Sequence, residues 1–194
     1  MSGTGKVAVI VLAAGKSRRF GARDKLLSNY RGKPLSAHVA ASLLGVPYSF
    51  GVVVTSNPVV AGLFKQTRFR PLFLKNSTGQ SDSLKAGLRY VRKHGASHAL
   101  VLLGDMPNVP RQHLKKMVAT AGMHPRISKS GNTVLPPALI PLHLLPKLLH
   151  LRGDVGAGKI LKHHPSTVFL PLDINGALDI DENVDRAGTS FIRV

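Results

Sequence analysis

The sequence is defined first by what it lacks. There is no cysteine among its 194 residues, which removes disulfides and thiolate metal sites and, with them, a disulfide-built secreted scaffold. There is no tryptophan, and aromatic residues make up only 5% of the chain, too few for the base-stacking platforms of single-strand nucleic-acid binders. Acids are scarce as well: nine Asp and Glu stand against 27 Lys and Arg, a formal net charge of +18. Such a charge attracts phosphates of every kind, nucleic acid included. The basic residues are spread over the chain without a basic tail, however, so they read as background rather than as a specific nucleic-acid footprint. No apolar run is long enough to cross a membrane. Residues 7–14 have a single Lys close before them and a basic cluster behind them, the reverse of a signal peptide. A soluble, cytoplasmic protein with no membrane partner is expected. The 43% of hydrophobic residues that remain suffice for one core burying roughly 70% of the unfolded surface, hence one domain over residues 1–194.

The densest chemistry lies in residues 7–25, V-A-V-I-V-L-A-A-G-K-S-R-R-F-G-A-R-D-K. Residues 7–12 are unbroken apolar without polar alternation, which predicts a parallel strand covered on both faces. The strand runs into Ala13-Ala14-Gly15, where small side chains let backbone N–H groups approach a ligand. Lys16, Ser17, Arg18, Arg19, Arg23 and Lys25 follow. Donors in this number at the carboxyl end of a buried strand, where open α/β sheets bind ligands, point to an anionic ligand. Two P-loop look-alikes fail. Gly15-Lys16-Ser17 lacks the leading Gly, because position 10 is Ile10 inside the strand. The run Gly153-Asp154-Val155-Gly156-Ala157-Gly158-Lys159 has the spacing, but Ile160 replaces the metal-binding hydroxyl and no strand precedes it.

Further along, apolar strands and helical stripes alternate. Pro34 opens a helix to about Leu44 with Leu35, Val39 and Leu43 as its stripe, and His38 falls to the edge of that stripe. Strands are predicted at 51–54, 72–74, 99–103 and 167–170, with helices over 59–65, from about 81 through Leu84, Leu88 and Val91, from Pro110, and around Leu142, Leu145 and Leu149. Four or more βα units predict a doubly wound, mostly parallel sheet with helices on both faces. Gly104-Asp105-Met106-Pro107 ends a central strand, a position suited to a metal-binding carboxylate. Five of the nine acids crowd: Asp173, Asp179, Asp181, Glu182 and Asp185 lie within thirteen residues. In so basic a chain, acids grouped this tightly need a cationic neighbour, either a metal or the basic loop. The paired His163 and His164 point to different helix faces and read as surface residues.

Leu12, Ala13, Ala14, Gly15, Ser17, Arg19, Gly21 and Lys25 occupy the positions of L-A-[AG]-G-x-S-x-R-x-G and its following Lys. This resembles the signature of the small nucleotidyltransferases of molybdenum cofactor synthesis, with one residue more than usual between Gly21 and Lys25. Ser83-Leu84-x-x-Gly87-Leu88, Leu103-Gly104-Asp105-Met106-Pro107, Gly153-Asp154-x-Gly156-Ala157 and Leu178-Asp179-Ile180-Asp181 resemble later motifs of that family in the same order. Departures are Leu135 where the family has His, Gly158 where an Arg often follows, and Glu182-Asn183-Val184 in the last motif. The resemblance implies a Rossmann-like nucleotidyltransferase fold that moves a nucleoside monophosphate onto the phosphate of the molybdopterin-type cofactor and releases pyrophosphate.

By the same resemblance, Leu12, Ala13, Ala14, Gly15, Lys16 and Ser17 bind the nucleotide, with Gln80, Ser81 and Ser83 at the nucleobase. Arg19 and Lys25 neutralise the triphosphate and, with Asp105, carry catalysis, while Asp105 and Asp181 hold Mg²⁺. Asn132, Pro136 and Asp154 face the acceptor. Relatives with L-A-A-G transfer CMP and those with L-A-G-G transfer GMP, so Ala14 implies CTP; the methyl group removes space a purine needs. Recipient molybdoenzymes are the implied protein partners. Two other readings stay open: a nucleotidyltransferase with another phosphorylated acceptor or with GTP, and a non-catalytic basic nucleic-acid-binding protein.

Overall fold

The computed structural model describes residues 5–15, 24–65, 68–74 and 79–180. Nine strands form, β1 (Val7–Ala13), β2 (Asn29–Tyr30), β3 (Lys33–Pro34), β4 (Phe50–Thr55), β5 (Phe69–Phe73), β6 (His98–Leu103), β7 (Arg126–Ser130), β8 (Thr133–Pro141) and β9 (Val168–Pro171). The helices are α1 (Leu35–Ser42), α2 (Pro58–Gly62), α3 (Gln80–Lys93), α4 (Arg111–Ala119), α5 (Leu145–Leu148) and α6 (Gly158–Leu161). Seven strands make one sheet in the order β5-β4-β1-β6-β8-β7-β9, and β2-β3 form a small separate ribbon. The pairs β5-β4, β4-β1, β1-β6 and β7-β9 are parallel, and only β8 runs against its neighbours.

The apolar run of β1 becomes a central strand because it is buried along its whole length. Its alternate side chains feed two cores. Val7, Val9, Val11 and Ala13 pack with Val39 of α1, Leu43 just after it, Val60 of α2 and Leu114 and Met117 of α4. Ala8, Ile10 and Leu12 pack on the other side with Leu84, Leu88 and Val91 of α3, Leu148 of α5 and Leu161 of α6. Helices thus cover both faces, as the continuous apolar strands require. The chain leaves β1 for β4 on one side and later returns to β6 on the other, so the carboxyl end of β1 is the topological switch point, where a crevice opens.

The ends of several elements differ from the sequence-based expectation. The strand expected at 72–74 is β5, Phe69–Phe73, because its register follows β4 from Gly51↔Phe69 to Thr55↔Phe73. The segment after Arg126, for which no strand was expected, is a hairpin of β7 and β8 closed by Gly131-Asn132, with Gly131 at φ 54°. Its prolines are compatible with a strand because a register shift between Ile127 and Ser128 interrupts the ladder there. The expected helix around Leu142 is broken into a 3-10 turn, Leu142–Leu144, and the one-turn α5, with Pro146 entering the first turn.

The glycine in the Ser83-to-Leu88 motif has a packing reason. A Cβ at Gly87 would lie 2.6 Å from Ile10 Cγ2 and 3.3 Å from Val54 Cγ2, so α3 lies directly on β1 and β4 only because that residue has no side chain. Gly87→Val should therefore overpack the seam and cost about 1–3 kcal/mol, visible as a thermal midpoint lower by several degrees. An unchanged midpoint would show that α3 does not sit this close.

Candidate active site

The site assembles at the carboxyl edge of β1 and β6. After the basic loop the chain re-enters at Asp24, whose Oδ1 accepts the amide of Leu26 at 2.9 Å and caps the 3-10 turn Lys25–Leu27. Its other oxygen accepts from Asn57 Nδ2 at 2.8 Å, tying that turn to the end of β4. So held, Lys25 is buried at 7% exposure, and its ammonium donates to Asp105 Oδ2 at 3.0 Å and to Asp179 Oδ1 at 3.2 Å. A buried ammonium needs such partners. Asp105 reaches it because it lies just past β6, where Gly104 fits against β1: a Cβ on Gly104 would meet Ala13 Cβ at 3.3 Å and Leu12 O at 3.4 Å. Asp105 Oδ1 is buried and has no hydrogen-bond partner among the described residues.

Asp179 is seated by its neighbour. Ile180 is buried against Tyr30 and Leu35, and its amide donates to Asp105 O at 3.3 Å, so the segment before the C-terminal acids is stitched to the end of β6. Asp179 was not among the residues singled out for a role. The signal was the alternation Leu178-Asp179-Ile180-Asp181, which sends Ile180 inward and Asp179 the other way. The expectation that the crowded acids need a cation holds for Asp179, and the cation is Lys25 of the basic loop's end.

The other candidate residues fall into three places. Leu12, Ala13 and Ala14 are buried and Gly15 is exposed at the switch point; Lys16, Ser17, Arg19 and Asp181 lie outside the described residues. At the start of α3, Gln80 is half-buried, whereas Ser81 and Ser83 are 0% and 3% exposed. Asn132 is exposed at the tip of the β7-β8 hairpin and Pro136 is half-buried in β8. Because Val101 pairs with Ala138 in antiparallel register, β8 carries Pro136 to the carboxyl end of β6 and Asn132 past it, toward the edge that holds Asp105. Asp154 is exposed in the loop before α6, and its Oδ1 accepts the amide of Gln80 at 3.3 Å.

Two histidines serve the scaffold. His38 Nε2 lies 2.7 Å from Tyr30 O with its ring edge-on to Tyr30, an edge position as the sequence suggested. His113 of α4 reaches across to the hairpin, with Nε2 2.8 Å from Ser128 Oγ. Ser128 Oγ donates to Pro137 O at 2.9 Å, so it accepts from His113, and the proton sits on Nε2. Burial holds the His113 pKa below its usual value, Lys116 pushes it the same way, and Asp173 opposes them.

The donor set at Asp105 fits a hard divalent cation such as Mg²⁺, which takes carboxylate oxygen, and the unpartnered buried Oδ1 is an oxygen awaiting one. Among the described residues no three His, Asp or Glu side chains gather as a metal set, so further ligands would come from Asp181, the nucleotide or water.

An open α/β sheet with a buried Lys between carboxylates at its switch-point edge has the build of a nucleotidyltransferase, and the solved structures it resembles agree on the fold. Rv0371c from Mycobacterium tuberculosis H37Rv superposes with a TM-score of 0.77 at 21% identity over 92% of this chain and 93% of that one. Its manganese complex gives 0.72 at 20% identity over 93% and 94%. The 4-diphosphocytidyl-2C-methyl-D-erythritol synthase of Anaerococcus prevotii gives 0.75 at 13% identity over 94% and 93%. The sequence profile of the MobA-like NTP transferase domain matches residues 9–168, and the chain belongs to that family. Among characterised relatives, the purine catabolism protein PucB of Bacillus subtilis (strain 168) is 28% identical over 163 residues, 79% of each chain. A molybdenum cofactor guanylyltransferase of Pseudomonas putida is 29% identical over 151 residues, 72% of this chain and 73% of that one. No helix among the described residues is long and apolar enough to cross a membrane.

The His113 geometry makes a pH prediction. Its folded pKa lies below the unfolded value near 6.5, so the unfolded chain takes up the proton first. The stability it contributes is full above about pH 6.5 and is lost as pH falls through the folded pKa. His113→Gln should flatten the fall of the thermal midpoint between about pH 7 and 5 relative to the native protein; an unaltered pH dependence would refute the assignment.

Proposed function

We propose that the whole chain works as one nucleotidyltransferase domain that transfers CMP from CTP to the phosphate of a molybdopterin-type cofactor. The observation that carries the reaction class is the Lys25-Asp105-Asp179 cluster with its unpartnered Asp105 oxygen, at the switch point of a sheet of this family. In the transfer, an acceptor phosphate oxygen forms a bond to the α-phosphorus. The bond from that phosphorus to the bridging oxygen breaks, and its electron pair leaves with pyrophosphate. The nucleophile is already ionised near neutral pH, so the protein's task is positioning and charge neutralisation rather than proton removal.

A divalent ion, when bound, supplies charge neutralisation at the phosphates, and Asp105 and Asp181 are the residues that would hold it. Lys25 holds Asp105 and Asp179 in place and, with Arg19, stabilises charge on the triphosphate and the departing pyrophosphate. Amides of the turn from Ala14 through Gly15 and Lys16 to Ser17 cradle the phosphates, and Gln80, Ser81 and Ser83 frame the base. Asn132, Pro136 and the Asp154 loop border the acceptor, and a recipient molybdoenzyme takes the product. The setting is the cytoplasm.

Ala14 supports CTP: its Cβ occupies the strand-to-loop turn that the base passes. A second reading, GTP, is favoured by the Pseudomonas putida relative, which is named a guanylyltransferase. The kcat/KM ratio of CTP to GTP decides between them. On the CTP reading it exceeds 1, and Ala14→Gly lowers it by about 10-fold or more, the worth of a methyl group in a tight pocket; equal use of both by the native protein supports the second reading.

Asp105→Ala should lower Mg²⁺-dependent pyrophosphate release from CTP and molybdopterin by about 100-fold or more. Near-normal release would remove Asp105 from the mechanism. Mass spectrometry of the product formed from molybdopterin identifies the acceptor directly, and a cytidylylated sugar phosphate in its place would redirect the reading.

A further inference from the structure

The start of α3 is held by a distant loop. Gly79, which precedes the helix, has no side chain with which to cap it. Two amides of the first turn are instead taken across the chain: Gln80 donates to Asp154 Oδ1 at 3.3 Å and Ser81 to Gly153 O at 3.1 Å. One turn on, Lys85 Nζ donates to Leu151 O at 3.1 Å and pairs with Asp82 Oδ1 at 3.2 Å. The loop and the helix start touch so closely that a Cβ on Gly79 would lie 2.5 Å from the Gly153 carbonyl, and one on Gly156 would lie 2.7 Å from Gln80 Oε1. Residues 151–156 therefore run along the first turns of α3 as a brace. A carboxylate at a helix N-terminus is favoured by the unpaired amides and by the helix dipole, and Asp154 satisfies that demand in trans.

We infer that Asp154 is a positioning residue for the nucleotide rather than a ligand of the acceptor: its carboxylate fixes the first turn of α3, and with it the Gln80 side chain lodged against Gly156, where the nucleobase is read. The inference rests on the proposal that the start of α3 frames the base. It changes the role expected of the Gly153-Asp154-x-Gly156-Ala157 motif, because a carboxylate already accepting the Gln80 amide is tied to the nucleotide side of the cleft. It also gives the two glycines a purpose, since each leaves room for the partner segment at a contact where a side chain would collide.

The test compares Asp154→Ala with Asp154→Asn. Asparagine keeps an oxygen that accepts the Gln80 amide without the charge, whereas alanine removes it. Hydrogen exchange of the Gln80 and Ser81 amides is read without any nucleotide, nucleotide binding is measured by calorimetry with CTP and with GTP in the absence of acceptor, and KM is measured for molybdopterin. The expected result is exchange about 10-fold faster and nucleotide Kd about 10-fold weaker in Asp154→Ala, the worth of a hydrogen bond to a charged group. Asp154→Asn should restore most of both, and the molybdopterin KM should move less than about 2-fold, within the spread expected for a residue that makes no contact with it.

A raised molybdopterin KM with unchanged nucleotide Kd would make Asp154 an acceptor ligand and overturn the inference, as would unchanged exchange in the alanine variant. Should the native protein bind GTP and not CTP, the choice of base falls while the positioning role is still judged by whichever nucleotide binds. If Asp154→Ala does not fold, Lys85→Met loosens the same brace at Leu151 and should weaken nucleotide binding in the same direction; no change there would count against the inference.

Discussion

The structure depends on the burial of one ammonium. Lys25 is 7% exposed, and an unpaired cation so placed would cost several kcal/mol, so its partners are obligatory. They come from positions 80 and 154 residues further along the chain. One cation thereby joins the end of the basic loop, the end of β6 and the C-terminal acids. Asp24 and Asn57 fix the turn that carries it, and Ile180 fixes the segment that brings Asp179. In a chain of net charge +18 this concentration of carboxylates is balanced locally, and it leaves one buried oxygen of Asp105 without a hydrogen-bond partner among the described residues.

Around that cluster the sheet acts as a ruler. Alternation along β1 divides its side chains between two cores, so helices on both faces press the strand into a fixed height. Gly87 and Gly104 set how near the neighbours come: the first lets α3 lie on Ile10, the second lets the end of β6 meet Ala13. The residues that follow β1 and the carboxylate after β6 are thus placed side by side by packing rather than by direct bonds between them. The reversed strand β8 then carries the β7-β8 hairpin to the same edge, and His113 with Ser128 anchors that hairpin to α4. The end of β6, the hairpin and the start of α3 are accordingly linked, the last through its contact with residues 153–156.

Much of this was legible in the residues alone. The apolar run of β1, the small residues after it, Asp105 at the end of an apolar strand and the stripe of α3 are local patterns whose physical meaning does not depend on neighbours: a continuous apolar strand must be covered twice, and a lone acid beside Gly104 at a strand end faces the crevice. The βα alternation determined the fold class. Family motifs added the order of the site; Asp24 and His113 were passed over because nothing in their immediate surroundings distinguishes them from surface residues, and Asp179 was counted only among the crowded acids.

Three contacts show what tertiary structure decided. Asp179 is a partner of Lys25 only because Ile180 finds a place against Tyr30 and Leu35; Asp154 caps a helix that begins 74 residues earlier; the prolines of β8 enter the sheet only because β7 shifts register beside them. The sequence by itself determined the central apolar strands β1, β4 and β6 and the helical stripes of α1, α3 and α4, since burial periodicity is a property of a segment, whereas the β7-β8 hairpin and the break after Leu142 came from the tertiary structure. Which charged side chains meet, and what the loop of residues 151–156 touches, depends on distances between segments, and these are set by packing across the whole sheet that no local pattern encodes.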